Sequence, residues 1–134
     1  AEYTSGLRGN LEAAAFIPAI QYIQAQRLRR QCRREMEALF KTVDVFLTPT
    51  VATPPPPLRG PGNSTSNEFQ SPWTNLGFPS ITIPLGLSSS SLPLGIQLVA
   101  APFAEERLLT VARWCERLLN VNLKPPEPTT QGVG

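Results

Sequence analysis

Residues 73–103, WTNLGFPSITIPLGLSSSSLPLGIQLVAAPF, constrain the fold of this chain more than any other stretch. Two short apolar runs, residues 80–84 and 95–100, are each introduced by glycine or proline and are rich in Ile, Leu and Val. Runs of that length and composition read as buried β-strands. Between them, residues 86–93 read as a polar turn with four serines in a row. Neither run is read as a clean apolar–polar alternation, so both faces of these strands are expected to be covered. Helices on the two faces of a sheet would supply that cover, which makes the expected class α/β.

The helices follow from spacing. Over residues 18–41, Ile20, Ile23, Leu28, Cys32, Met36, Leu39 and Phe40 recur mostly three or four positions apart. That periodicity predicts one amphipathic helix of roughly six turns, and Pro18 is tolerated at its first position. Residues 6–17 hold a shorter apolar-rich piece, read as a brief helix. The clearest helix is residues 105–119, where Leu108, Val111, Ala112, Cys115, Leu118 and Leu119 make one stripe. Its first turn carries Glu105 and Glu106 and its end Arg113 and Arg117, favourable at both poles of the helix dipole. Asn120 suits the position just past the end.

A third strand is expected over residues 43–47, with Val43, Val45 and Leu47 on one side, Phe46 on the other and Pro49 as its stop. The four prolines at residues 54–57 favour a stiff, extended surface connection. Residues 63–75 are a polar loop with two aromatics, Phe69 and Trp73, and loops of this length are frequently functional. The expected division is one domain segment over residues 1–120 and a flexible tail over 121–134, where Pro125, Pro126 and Pro128 stand.

Several classes of function are excluded or disfavoured by what is missing. There is no histidine, which removes Ser-His-Asp and Cys-His catalysis and the commonest metal ligand. Two cysteines, Cys32 and Cys115, are too few for a disulfide scaffold or a zinc site and read as reduced thiols of a cytoplasmic protein. Neither a metal nor a cofactor is expected. The net charge of +2 is too small to argue for nucleic acid. Arg27, Arg29, Arg30, Arg33 and Arg34 crowd one helix, yet no aromatics interleave them and Arg33–Glu37 and Glu37–Lys41 are spaced to pair. A solvated helix face accounts for them. No run of 18 apolar residues is present, and no membrane contact is expected.

Particular motifs carry a family resemblance. GFPSITIP at residues 77–84 and LPLGIQLV at 92–99 resemble two consecutive strands of the amidase signature hydrolases. That family's pattern is G-x-P-(A/S)-I-(T/S)-(V/I/L)-P, a variable loop, then L-P-(V/L)-G-(L/I)-Q-L-(I/V). DVFLTPT at 44–50, YIQAQRLRR at 22–30 and PFAEERLLTVA at 102–112 are similar to further family elements. The resemblance runs from about Tyr22 to Leu119 and implies the C-terminal segment of a larger fold, a mixed β-sheet core flanked by helices. It also implies an activity, hydrolysis of amide C–N bonds by a Ser nucleophile, a second Ser in a cis peptide and a Lys.

Those three catalytic groups belong to the family's N-terminal half, and this chain offers no substitute. Its only lysines, Lys41 and Lys124, stand at a helix end and in the tail, where neither would be desolvated as a base. The serines at 88–91 have no base nearby in sequence and read as a flexible strand connection. No catalytic residue is therefore assigned. In one branch of the family a segment similar to residues 64–77 lies at the mouth of the substrate pocket. That likeness makes Trp73 the expected pocket-lining residue, with Thr74 and Asn67 behind it, although core packing would equally explain the Trp. Ser66 and Asn67 replace the Gly and Asp of that branch, and Thr74 replaces the Asn of the tRNA-dependent amidotransferases. The expected partners are a small-molecule amide, met through the complete domain, and the domain's N-terminal half. The competing reading is a free-standing, non-catalytic interaction module derived from the same fold.

Overall fold

A computed structural model describes residues 3–56 and 67–124. Pro57, residues 63–66 of the polar loop and residues 125–134 of the expected tail lie outside the described residues. In chain order the elements are α1 (Ser5–Ala14), α2 (Ala19–Leu39), β1 (Phe46–Pro49), α3 (Ser71–Leu76), β2 (Ser80–Leu87), β3 (Pro93–Val99) and α4 (Glu105–Leu119). The three strands form one antiparallel sheet in the order β1-β3-β2. The hairpin of the two apolar runs and the third strand beside it are thus as the sequence implies.

Pairing places Phe46 opposite Val99 and Ser80 opposite Val99, so the side chains sort into two faces. Leu47, Pro49, Ile81, Ile83, Ile96 and Leu98 share one face, and α4 packs on it, chiefly over β2 and β3. Ile83, Leu98, Ala100, Leu108, Ala112 and Cys115 form the core there, joined at its margin by Val45, Ile81, Ile96 and Val111. The other face carries Phe46, Thr48, Ser80, Thr82 and Gln97.

The expectation of cover on both faces holds only for β3. In β2, Ser80 and Thr82 are exposed while Ile81 and Ile83 turn inward, a period-two alternation that residues 80–83 do contain. β1 also departs from residues 43–47. It begins at Phe46 and includes Pro49, while Val43 and Leu47 are exposed. The reason is its place at the sheet edge. Thr50 N–H donates to the Gly95 carbonyl at 3.1 Å, so in an antiparallel ladder the pairing groups of Phe46, Thr48 and Thr50 point at β3 and those of Leu47 and Pro49 point away. Ala100 N–H donates to the Pro79 carbonyl at 3.1 Å, which by the same alternation turns Pro84 outward on β2. Each edge proline sits where its missing N–H costs no ladder bond.

The serine segment is ordered rather than a loose connection. Ser88 N–H donates to the Leu92 carbonyl at 2.8 Å, and Ser88 Oγ accepts from Ser90 N–H and Leu92 N–H, both at 3.2 Å. Ser91 takes the left-handed conformation (φ 59°) that closes the turn. The strands run further into it than expected, through a register shift between Pro84 and Gly86, with Gly86 at φ 145°.

The helices agree best where packing and caps act together. α4 matches residues 105–119, ends on Asn120 in the left-handed region (φ 45°), and holds Arg117, with Arg113 a turn earlier. Leu118, expected in its buried stripe, is 67% exposed. α1 starts earlier than expected because the Thr4 hydroxyl accepts from Leu7 N–H at 3.4 Å. Pro18 is the residue before α2, in extended conformation, rather than its first helical one. On α2, Arg33 Nε pairs with Glu37 at 2.9 Å, whereas Glu37 and Lys41 make no ion pair. Neither α1 nor α2 buries a residue.

Candidate pocket wall

α3 is the element on which the expected site residues meet. SPWTNL has little helical propensity, and six residues cannot hold a helix alone. Three anchors hold it. At its start the Asn67 carbonyl accepts from Gln70 N–H and Ser71 N–H, at 3.1 and 2.8 Å. At its end Gly77 adopts the left-handed conformation (φ 75°), with Gly77 N–H and Phe78 N–H donating to the Trp73 carbonyl at 2.9 and 3.0 Å. In its middle, Trp73 packs into an aromatic cluster.

That cluster ties four elements together. Phe40 follows α2, Phe46 begins β1, Trp73 belongs to α3 and Phe78 leads into β2. Phe40 meets Phe46 edge-on at 4.8 Å between centroids and stacks on Phe78 at 5.4 Å. Trp73 stacks on Phe46 at 5.8 Å and meets Phe78 edge-on at 6.1 Å. Such geometries contribute about 0.5–1.5 kcal/mol per pair beyond area burial.

A second tether comes from β3. Gln97 is the buried polar residue among the described ones, 3% exposed at the centre of the sheet. Its Nε2 donates to the Phe69 carbonyl at 2.9 Å and to Thr48 Oγ1 at 3.4 Å. The segment that leads into α3 is thereby fixed to the sheet through backbone, independent of the identity of residue 69.

Asn67 and Thr74 come together. With Gln70, Ser71 and Asn75 they line a shallow hollow of about 230 Å³ on the outward side of α3. Thr74 and Asn75 also line a cleft of about 440 Å³ between α2 and α3, whose α2 wall is Ala25, Gln26, Leu28, Arg29 and Cys32. Trp73 lies on a different side of α3, against the sheet. The polar surface can hold hydrogen-bonding groups of a ligand but contains no nucleophile and base as a pair.

Sequence reading passed over Gln97 and the phenylalanines of the cluster. Gln97 had a usable signal: a single amide inside a run expected to be buried on both faces must find partners. The cluster had none, because its four rings lie far apart in the chain and meet only through the sheet register.

Residues 7–109 match the family model described as Amidase. The chain belongs to the amidase family. It is 33% identical over 118 residues to a fatty acid amide hydrolase of Medicago truncatula, covering 81% of this chain and 19% of that one. It is 38% identical over 112 residues to a glutamyl-tRNA(Gln) amidotransferase of Paramagnetospirillum magneticum, covering 78% and 22%. Among solved structures, 6-aminohexanoate cyclic dimer hydrolase with substrate superposes with a TM-score of 0.73 at 25% identity, over 87% of this chain and 28% of that one. A crystal structure described simply as an amidase gives 0.73 at 23% identity, over 87% and 29%, a likeness of fold. The chain thus spans about a fifth of the length of these curated relatives. It corresponds to a C-terminal portion of an amidase, an α/β fragment of the larger enzyme fold.

Proposed function

We propose that this segment works as the non-catalytic part of an amide C–N bond hydrolase. It supplies sheet strands, outer helices and part of the substrate-pocket wall, and the nucleophile and base come from the N-terminal half of the amidase domain. The observation that carries the proposal is the family match over residues 7–109 in a segment whose own serines and lysines are far apart. Lys41 adjoins Phe40, which stacks on Phe78 before the start of β2, whereas Ser88–Ser91 follow its end. Eight residues of extended strand put about 25 Å between them. Lys124, exposed beyond α4, lines a groove with Ser91, but an exposed lysine stays protonated at neutral pH and is no base.

Within this reading Thr74 and Asn67 offer hydrogen bonds to the amide substrate from the hollow on α3, and Trp73 shapes the wall from behind. The substrate is a small-molecule amide rather than an aminoacyl-tRNA, in keeping with Thr74 in place of the amidotransferase Asn. Residues 1–120 belong to the domain and 121–134 form a tail. We place the protein in the cytoplasm on its two free thiols, Cys32 and Cys115. Among the described residues no helix is long and apolar enough to cross a membrane, and no membrane or nucleic-acid partner is invoked.

The test has two arms. The 134-residue chain should release no amine from acyl amides above background, and Lys41→Ala or Ser89→Ala should change nothing. The coding sequence extended upstream in frame should encode a lysine-bearing strand and a Gly/Ser-rich serine segment, and the longer polypeptide should hydrolyse amides. A start codon at this point with no such partner gene would sink the proposal in favour of a non-catalytic module.

A further inference from the structure

The core of this segment is covered asymmetrically, and the asymmetry has a direction. α4 lies chiefly over β2 and β3, leaving the same face of β1 open: Leu47, on that face, is 59% exposed. At 100° per residue, Arg107, Trp114 and Leu118 fall within a sector of about 40° on one flank of α4, next to Val111. Arg107 identifies which way that flank looks. Its Nη1 donates to Asp44 Oδ1 at 2.8 Å, and Asp44 stands two residues before β1. Val111 and Val45 both pack at the same margin of the core.

Trp114 at 62% exposure and Leu118 at 67% therefore overlook β1, and with Leu47 they make an apolar trough: strand for a floor, the flank of α4 for a wall. The opposite flank, over the β2 side, carries Arg113 and Glu116 around a single large apolar residue, Leu109. That flank is patterned for water, and the β1 flank is patterned for burial.

We propose that the trough seats an amphipathic helix from the rest of the amidase domain, lying beside α4 and covering Leu47, Trp114 and Leu118. Helices packed side by side on a sheet lie about 8–10 Å apart, and the strip over β1 has no other occupant among the described residues. The occupant is taken to be the domain itself rather than a second copy for two reasons. The trough is continuous with the family core, since Leu47 and Val111's neighbour Val45 lie on its margin and Leu47 falls within the matched residues 7–109. The relatives also hold about four-fifths of their length outside this segment. The Arg107–Asp44 pair closes one end of the strip, so the seated helix begins or ends short of it. This inference rests on the functional reading above.

Leu118→Glu and Leu109→Glu separate the alternatives, because both leucines are similarly exposed here, 67% and 58%. In the 134-residue chain the two variants should behave alike, in oligomeric state by sedimentation and in helical content by circular dichroism. In the longer amidase polypeptide Leu118→Glu should lose most of the soluble, active protein and lower the unfolding midpoint of the remainder, while Leu109→Glu should match the parent. Equal behaviour of the two variants in the longer polypeptide would overturn the proposal. So would a dimer of the 134-residue chain that Leu118→Glu alone dissociates, which would give the trough to a second copy. A longer polypeptide that hydrolyses amides yet tolerates Leu118→Glu would refute this inference and leave the functional reading standing; absence of any such polypeptide removes both.

Discussion

Gly95→Ala should loosen the sheet, although a glycine in a strand is ordinarily a weakness. Its φ is not in the left-handed region, so the restriction is one of space. A Cβ there would stand 2.9 Å from Thr82 Cγ2 and 3.0 Å from Thr50 Oγ1, both well inside contact. Thr82 can withdraw its methyl only by leaving its rotamer or swinging its hydroxyl, which gives up the 3.3 Å bond to Thr50. An off-rotamer side chain costs about 0.5–1.5 kcal/mol and a lost hydrogen bond about as much. Replacing glycine in a strand returns about 0.5–1 kcal/mol of chain entropy. The net expectation is a loss of about 1–2 kcal/mol, local to β1 and β3.

Amide hydrogen exchange reads that loss without requiring a cooperative transition. Thr50 N–H, bonded to the Gly95 carbonyl, should exchange about 5–30 times faster, since about 1.4 kcal/mol is tenfold. Ala100 N–H, bonded to the Pro79 carbonyl at the far end of β3, should change less. Thr82→Ala removes both the methyl in the way and the hydroxyl that holds Thr50, so Gly95→Ala in that background should be near neutral. Equal acceleration by Gly95→Ala with Thr82 present or absent would refute the steric account, as would slower exchange in the single variant.

Three further outcomes follow from named contacts. Ile83→Ala, at a side chain 1% exposed, should cost about 2–5 kcal/mol, whereas Leu47→Ala should stay within about 0.5 kcal/mol in the 134-residue chain, both read by exchange of core amides. Gln97→Ala leaves the Phe69 carbonyl without its donor and should cost about 1–3 kcal/mol; in a Trp114→Phe background, red-shifted Trp73 fluorescence would report release of α3 from the sheet, and an unchanged spectrum would count against the tether. Asn120→Gly should stabilise the end of α4 by up to about 1 kcal/mol, because φ 45° carries a penalty that glycine escapes, and slower exchange of the last helical amides checks it.

What could be read from the sequence depended on whether the determinants were local. α4 and the β2–β3 hairpin were legible because apolar spacing, end charges and turn residues all lie inside their own segments. α3 was not, because its helix is imposed from outside by Gly77, Gln97 and the rings around Trp73. β1 was placed early by three residues, since Val43 and Val45 suggest a strand while Asp44, drawn to Arg107, keeps the chain in a bend until Phe46. For the candidate site, the sequence could name Asn67, Thr74 and Trp73 as neighbours but not divide them. A helix of this register sends Thr74 toward the hollow and Trp73 toward the sheet.

The distribution of apolar surface argues that this segment is a subassembly with a directional interface. Leu7, Leu11, Phe16, Ile17, Ile20 and Ile23 are between 45% and 86% exposed along α1 and the start of α2. Burying a side chain of that size contributes about 1.5–3 kcal/mol, so leaving several half-open forgoes an amount comparable to the whole stability of an ordinary domain, about 5–15 kcal/mol. The aromatic cluster and the α4 core hold β3 firmly, because both faces of that strand are closed. Stability should accordingly fall away from β3 toward α1 on one side and β1 on the other. That gradient is what a piece of a larger sheet must have: its centre is self-sufficient, and its margins await strands and helices that only the complete amidase domain can bring. The pocket hollow on α3 lies between these regimes. It is fixed to the firm centre through Gln97 and Trp73 but bordered by α2, which buries nothing in this segment, so the shape of the cleft is decided by whatever closes over α2.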